Sequence, residues 1–310
     1  MRPSRRPQLA AAIFLTAAFS FLPAHALRAQ SLSDLVEQLG IEELARDYLR
    51  PGVDAIGYTI NSGYAHTARV DTAFHIWAGA KGIVTFIPDD QRSFIGKLPA
   101  AMVEAGYPAE VTTATVVGGE GSVIRAPADP SKPEIALPDG TGLRETFLLL
   151  PQVSFGPVLG TDVILRGLPP VTYDTEIGKV SFYGAAIKHE LTHFFTSPLQ
   201  IAVLAGYQQF EITDAVSGSS MSGMLLASRD VGFVSLFAGV GYEAYAIDIS
   251  YTYDPAEAGR DPEDITLEFR RRNLRLSVGG AITLLPLLDI TAEYSFGEMD
   301  NLVLGIGLSF

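Results

Sequence analysis

The chain has 310 residues, with 22 basic against 35 acidic side chains, a formal charge of −13 and no cysteine. So acidic a surface is a poor partner for nucleic acid, and without thiols there is neither a disulfide framework nor a lipidated cysteine. Mean hydropathy is nevertheless positive, at +0.23. Beyond the first thirty residues no apolar run reaches the roughly 18 residues of a membrane helix, so the hydrophobicity must be spread along the chain at another period.

In chain order, residues 1–29 read as an export signal. Arg2, Arg5 and Arg6 form a basic start, Leu9–Phe21 is an apolar run too short to span a bilayer, and Ala24-His25-Ala26 offers a small-x-small cleavage site. Cleavage after Ala29 is equally open. Removing this segment takes four arginines and no acid, leaving 18 basic against 35 acidic side chains and a charge of −17. Residues 30–51 (SLSDLVEQLGIEELARDYLRP within them) read as an amphipathic helix. Ser31 or Ser33 caps it, Leu32, Leu35, Val36, Leu39, Leu44 and Tyr48 fall at helical spacing, and Pro51 stops it. GVDAIGYTI (52–60) is a candidate strand. Residues 88–144 are rich in Pro and Gly, a connection long enough to be a hatch or a cap. GGEGS within it lacks the Lys-Ser/Thr and helix of a phosphate loop.

From residue 146 the period is two. TFLLLPQVSF (146–155) and TDVILRG (161–167) are strands, and 179–189 and 200–213 alternate less cleanly. VSLFAGVGY keeps its apolar residues on even positions and AIDISYTY (246–253) on odd ones, a slip near Glu243–Tyr245 that reads as a β-bulge, with a tight hairpin as the alternative. In NLRLSVGGAITL, Leu274, Leu276 and Val278 alternate with Arg275 and Ser277. LDITAEYSF and LVLGIGLSF follow the same rule, the last placing Leu304, Ile306, Leu308 and Phe310 on one face. Turn signals alternate between GPVLG (156–160), TSPL (196–199), ASRDV (227–231) and LPLL (285–288) at one end and PPVTYDTEIG (169–178), DAVSGSSMSG (214–223), DPAEAGRDPED (254–264) and GEMD (297–300) at the other.

A soluble β-sandwich would share this alternation. Aromatics at strand ends (Tyr251, Tyr253, Tyr294, Phe296, Phe310), the alternately short and long connections and the closing amphipathic strand favour a membrane barrel. The expected fold is all-β: a transmembrane antiparallel up-and-down β-barrel over residues 52–310. It has about ten strands, or twelve and more if GVDAIGYTI pairs. The N-terminal helix is expected at its periplasmic mouth in preference to its lumen.

YLRPGVDAIGYTINSGYAHTARVDTAFHIW, FIPDDQRSF, GTDVILRGLPP, GAAIKHEL and AGYQQF, in this order, resemble an uncharacterised family of Gram-negative outer-membrane proteins, a domain of unknown function. Its members look distantly like long-chain fatty-acid transporter barrels. The resemblance covers most of the exported chain. It implies an outer-membrane location, contact with lipid and a small hydrophobic ligand or cargo; its motifs imply no reaction. The closing strand with Leu304, Ile306, Leu308 and Phe310 resembles the C-terminal signal of outer-membrane barrels, which implies the barrel-assembly machinery as a partner.

One motif points elsewhere. His189-Glu190-Leu191-Thr192-His193 is a literal H-E-x-x-H, which on a helix places two imidazoles on one face for zinc with a glutamate to activate water. Here it falls between two strands, where a helix of several turns has no room. Glu211, the obvious third ligand, sits in the strand-like QQFEIT. Turn residues, exposed or interfacial, are the preferred reading, and zinc proteolysis the minor alternative. No catalytic residue, metal or cofactor is therefore expected. Asp162, Arg166, Asp248, Arg275, Asp289 and Glu293 fall on inward faces and are the lumen candidates. A solvated or salt-bridged filling is preferred to a binding or gating site. The leading function is passage or binding of small molecules; the alternative is a closed barrel with a structural or surface-interaction role.

Overall fold

The computed structural model describes residues 42–172, 179–212, 215–253, 263–284 and 287–310. The export signal and the first part of the expected helix, through residue 41, lie outside the described residues. So do most of the 254–264 loop and part of the 285–288 turn.

Ten strands close into one antiparallel barrel. These are β1 (His75–Phe86), β6 (Glu145–Gly156), β7 (Thr161–Thr172), β8 (Lys179–Glu190), β9 (Gln200–Ile212), β10 (Val216–Val231), β11 (Val234–Tyr253), β12 (Glu263–Leu284), β13 (Leu288–Phe296) and β14 (Asn301–Ser309). Each strand pairs with its neighbour in sequence, and β1 closes the ring against β14, with Trp77 opposite Ser309 and Thr85 opposite Asn301. The segment between β1 and β6 forms a cap at the loop end. It holds two small hairpins, β2 (Ser93–Lys97) with β3 (Glu110–Ala114) and β4 (Val123–Ile124) with β5 (Ile135–Ala136), and a short helix, α2 (Ala100–Glu104). The other end carries the short turns.

The expected barrel and its strand count of ten hold; several local readings do not. The helix, α1, runs Glu42–Asn61 and passes through Pro51. GVDAIGYTI is therefore helix and pairs with nothing. A proline inside a helix costs about 3 kcal/mol, and Gly52 and Gly57 weaken it further. Burial on every side offsets this. Glu43, Asp47 and Arg50 leave one exposed face, and from Pro51 onward no residue of the helix is exposed. Helix α1 is thus a plug within the barrel, not a helix at its mouth, and it enters from the loop end. Leu44, Tyr48, Leu49 and Val53 share one core with Leu98, Val116 and Leu137 of the cap and with Phe182, Ile247 and Leu267 of the wall.

No bulge interrupts β11. Its register with β10 and β12 is continuous through Glu243–Tyr245. What changes is the environment. Even positions face outward, and Leu236, Val240 and Tyr242 are exposed there; nearer the loop end the inward odd positions Tyr245, Ile247 and Ile249 are apolar because the plug helix packs on them. Strand β12 repeats the switch, with outward Leu274, Leu276 and Val278 followed toward the loop end by inward Leu267 and Phe269. The same switch blurs the alternation in β8 and β9. The strands also consume residues assigned to turns. The 227–231 turn is strand, closed by Gly232 and Phe233 with Gly232 at φ +66°, and most of 214–223 belongs to β10. Of the aromatics expected at strand ends, Tyr294, Phe296 and Phe310 are placed; the side chains of Tyr251 and Tyr253 lie outside the described residues.

Helix and wall meet most closely at Gly57, where an added Cβ would stand 2.4 Å from the Tyr245 ring. Gly57→Ala is expected to lower stability by about 1–3 kcal/mol through overpacking, read as a lower denaturation midpoint, with Gly52→Ala facing the softer Val116 side chain as the milder comparison.

Candidate functional site

Below the helix the interior is polar, and its centre is the helix C-terminus. The last carbonyls of a helix lack intrahelical donors, and burial leaves them no water. The barrel wall supplies the donors. Arg166 on β7 donates from Nη1 to the Ser62 carbonyl at 2.5 Å and from Nη2 to the Ile60 carbonyl, while its guanidinium lies 3.4 Å over the Tyr64 ring. Gln208 on β9 donates from Nε2 to the Ile60 carbonyl at 2.5 Å and accepts from Arg166 and from the Tyr64 hydroxyl through Oε1. Arg275 on β12 donates to the Tyr58 carbonyl at 3.1 Å and to Ser62 Oγ at 2.8 Å, and pairs with Glu243 at 2.9 Å. The last turn of α1 contains no basic residue; two arginines from the wall supply the charge its dipole favours.

From Ser62 the chain runs extended down the lumen to β1. Ala68 N–H and Thr67 Oγ1 donate to Ser228 Oγ, both at 3.1 Å, and Arg69 pairs with Asp230 at 2.7 Å. Lys188 donates to the Arg69 carbonyl at 2.8 Å and pairs with Asp162 at 3.0 Å. Residues 42–74 thus thread the barrel from the loop end to the turn end.

Of the six lumen candidates, Asp162, Arg166, Arg275 and Glu293 are buried inward as expected, and Asp289 faces inward near the turn end, accepting from Thr283 and Ser309. Asp248 is the correction. With no bulge in β11 it lies on the outward face, opposite Ser217 and Glu268. The sequence reading did not include Lys81, Gln208, Lys188, Glu190 and Glu243, all buried on inward faces. Lys188 and Glu190 were hidden inside the metal motif's neighbourhood. Period two, applied from β8's Phe182, would have placed both inward.

The side chains of that motif do not converge. His189 is the outward residue beside Glu190, held by Thr161 Oγ1 at 2.9 Å, whereas Glu190 points into the lumen and accepts the Val70 N–H at 2.7 Å. Residues 191–194 form a turn rather than a helix, and among the described residues no group of three or more potential ligands is close enough to hold an ion. His193, expected to be exposed or interfacial, has a side chain only 12 % exposed, with Nδ1 3.7 Å from Glu190 and its ring against Gly160.

At the loop end, Asp54 of α1 accepts from the Tyr245 hydroxyl and lies 3.5 Å from Arg271, which also pairs with Glu298 at 3.1 Å. Burial raises the Asp54 pKa, and Tyr245 and Arg271 pull it back. Tyr48 donates to the Asp139 carbonyl in the cap; burial first, and the Asp139 charge second, push its phenol up to about 12. It therefore stays a neutral donor over the working range.

Two spaces lie beside the plug among the described residues. One, of about 20 Å³, has Asn61, Tyr64, Ser222, Glu243, Arg275 and Glu293 in its lining. The other is a small apolar crevice of about 50 Å³, partly open, between α1 (Ile56, Ile60) and the inward faces of β6 to β9 (Leu150, Leu168, Phe182, Phe210). Hydroxyls gather at its edge, where Thr59 bonds Thr85 at 2.6 Å and Thr146 at 2.8 Å.

A model of a protein family of unknown function, DUF6588, matches residues 8–310. No curated protein matches the chain in sequence. Among solved structures the chain is similar to the attachment invasion locus protein Ail of Yersinia pestis (10 % identity over 76 % of this chain and 98 % of that one, TM-score 0.28). It is also similar to the outer-membrane protease OmpT of Escherichia coli (9 %, 76 % and 95 %, 0.35) and to the translocator domain of the autotransporter NalP of Neisseria meningitidis (9 %, 88 % and 99 %, 0.32). At these identities and scores the likenesses say nothing about activity.

Removing the wall's hold on the plug is expected to be costly. Arg166→Ala leaves two buried carbonyls and Gln208 short of a donor, at about 1–3 kcal/mol for each group unsatisfied. The urea midpoint should fall and protease sites should open within residues 62–74, and Arg166→Lys should restore little, since one ammonium cannot reproduce the guanidinium fork.

Proposed function

The chain belongs to this family of unknown function, and from that premise we propose that it is an outer-membrane barrel, closed by its own N-terminal segment, which binds a small hydrophobic molecule beside the plug. The membrane reading rests on the outer surface. On β12 the outward residues change from Glu268, Arg270 and Arg272 to Leu274, Leu276 and Val278, which are 68 %, 51 % and 41 % exposed. The stretch from 274 to the strand's end at Leu284 is eleven residues, and the outward faces of β1 (76–86) and β14 (302–308) are apolar throughout. About 9–11 residues of tilted strand cross a bilayer. Exposed Tyr183, Tyr207 and Tyr242 border the apolar belt on the loop side; Phe74, Phe194, Phe195, Phe233 and Phe310 are exposed at the turn end. Two aromatic girdles are what a membrane barrel needs at its interfaces.

The single observation favouring binding over architecture alone is the crevice. Beside the plug of residues 42–74, this space is lined mainly by apolar side chains of α1 and of β6 to β9. An apolar space with a few hydroxyls at its edge suits an apolar guest. Nothing in the interior requires an open pore, so flux is expected to be absent. A role in catalysis is not proposed.

Three measurements test this. Purified protein should enhance N-phenyl-1-naphthylamine fluorescence, Leu150→Trp should abolish the enhancement, and planar bilayers should show no steady conductance. Absence of any bound probe would favour a purely structural barrel. With the loop end outside, a cysteine at Glu120 should react with an impermeant thiol reagent on intact cells and one at Thr196 should not; the reverse would invert the orientation. Leu276→Arg, in the apolar belt, should cost about 2–4 kcal/mol of stability in lipid, whereas Arg272→Ala, two outward positions away, should stay within about 0.5 kcal/mol.

A further inference from the structure

The barrel wall is not laced equally all round. Strands β6 and β7 pair only from Gln152–Arg166 to Phe155–Val163, at the turn end. Toward the loop end β6 continues to pair with β1 as far as Glu145, and β7 with β8 as far as Thr172, yet among the described residues β6 and β7 share no ladder above Gln152. The sequence supplies a cause. Pro151 lies on β6 immediately above the last pair, and Pro169 and Pro170 stand side by side on β7. Proline has no N–H to donate, and successive donors of a strand point to opposite neighbours. The tandem prolines therefore withdraw a donor from each side of β7. On the β8 side the register shifts between Leu168 and Val171; on the β6 side the ladder stops.

The crevice lies behind this unlaced stretch. Its lining includes Thr146, Phe147, Leu148 and Leu150 on one lip and Leu168 on the other, with Phe182 and Phe210 deeper inside. The outer lip is apolar, since Phe147, Leu149, Pro151 and Val153 face outward along β6. Among the described residues the loop end is covered by the cap. There the cap is tied to the plug by Val116 N–H donating to the Tyr48 carbonyl at 2.9 Å and by Tyr48 to Asp139, and it shares the plug's apolar core.

We propose that the β6–β7 seam is a side opening in the wall through which an acyl chain of a membrane lipid enters the crevice from the bilayer. This rests on the reading of the barrel as a membrane protein with an apolar binding site, and adds the source and class of the guest. A polar or branched headgroup has no partner in the crevice and stays outside. A single unbranched chain can pass between strands that share no ladder there, at no cost in broken ladder pairs.

The test uses the full exported chain reconstituted in phosphatidylcholine vesicles doped with a phosphatidylcholine that carries a diazirine at the end of one acyl chain. After irradiation, adducts are mapped by mass spectrometry. The inference expects adducts on the inward residues Leu168, Phe182 and Phe210 as well as on outward Val153 and Leu165. Leu150→Trp, which fills the crevice, should lose the inward adducts and keep the outward ones; should that variant not fold, the wild-type map decides alone. Adducts confined to outward residues, with N-phenyl-1-naphthylamine still bound in detergent, would overturn the seam and leave the binding site standing. Loss of both would remove the binding site as well.

Discussion

A helix that ends in the middle of a protein must have its last carbonyls satisfied there, and this constraint organises the barrel. Helix α1 terminates at Asn61 within the lumen, and the Tyr58, Ile60 and Ser62 carbonyls are met by Arg166, Gln208 and Arg275 from three different strands. These wall residues do two jobs at once. They are charges and amides that could not be buried alone, and they cap a helix that could not end alone. Each half supplies the partners that the other lacks. The arginines are compensated largely by carbonyl dipoles, with Glu243 as the one close carboxylate on Arg275.

The lumen consequently has two levels with different chemistry. Toward the loop end the plug is helical, its own hydrogen bonds are internal, and the wall facing it is apolar: Leu148, Phe182, Phe210, Tyr245, Ile247 and Leu267. Toward the turn end the plug is extended, its backbone needs partners, and the wall becomes polar: Lys188, Glu190 and Ser228 bond Arg69, Val70 and Ala68. The outer surface changes in the opposite sense along β12, charged near the loop end and apolar below. A strand that crosses both levels exchanges its apolar face halfway, without any change in pairing.

The crevice and the seam both arise where these levels meet the three prolines. Helix α1 fills most of the upper lumen, but β6 and β7 are not drawn together beside it because their ladder ends at Gln152. A gap in backbone pairing thus lies next to a small gap in side-chain packing.

Much of this was legible from period alone. Alternation in the last strands fixed which residues face outward, and Leu274, Leu276, Val278, Leu304, Ile306, Leu308 and Phe310 lie there as expected. The same rule placed Asp162, Arg166, Arg275, Asp289 and Glu293 inward, because side-chain direction in a strand is a local property of the pleat. The fate of YLRPGVDAIGYTI was not local. Its proline and glycines oppose a helix, and only enclosure by the barrel outweighs them. Asp248 was misplaced for a related reason: the sequence shows that apolarity changes phase near Tyr245 but not that a helix arrives there to cause it. The metal-like HELTH letters are likewise decided by surroundings, since Glu190 ends a strand and His193 sits in a turn. Sequence determined the face each strand residue takes. Tertiary structure decided what stands opposite that face, lipid, helix or extended chain, because the partner comes from residues far away in the chain.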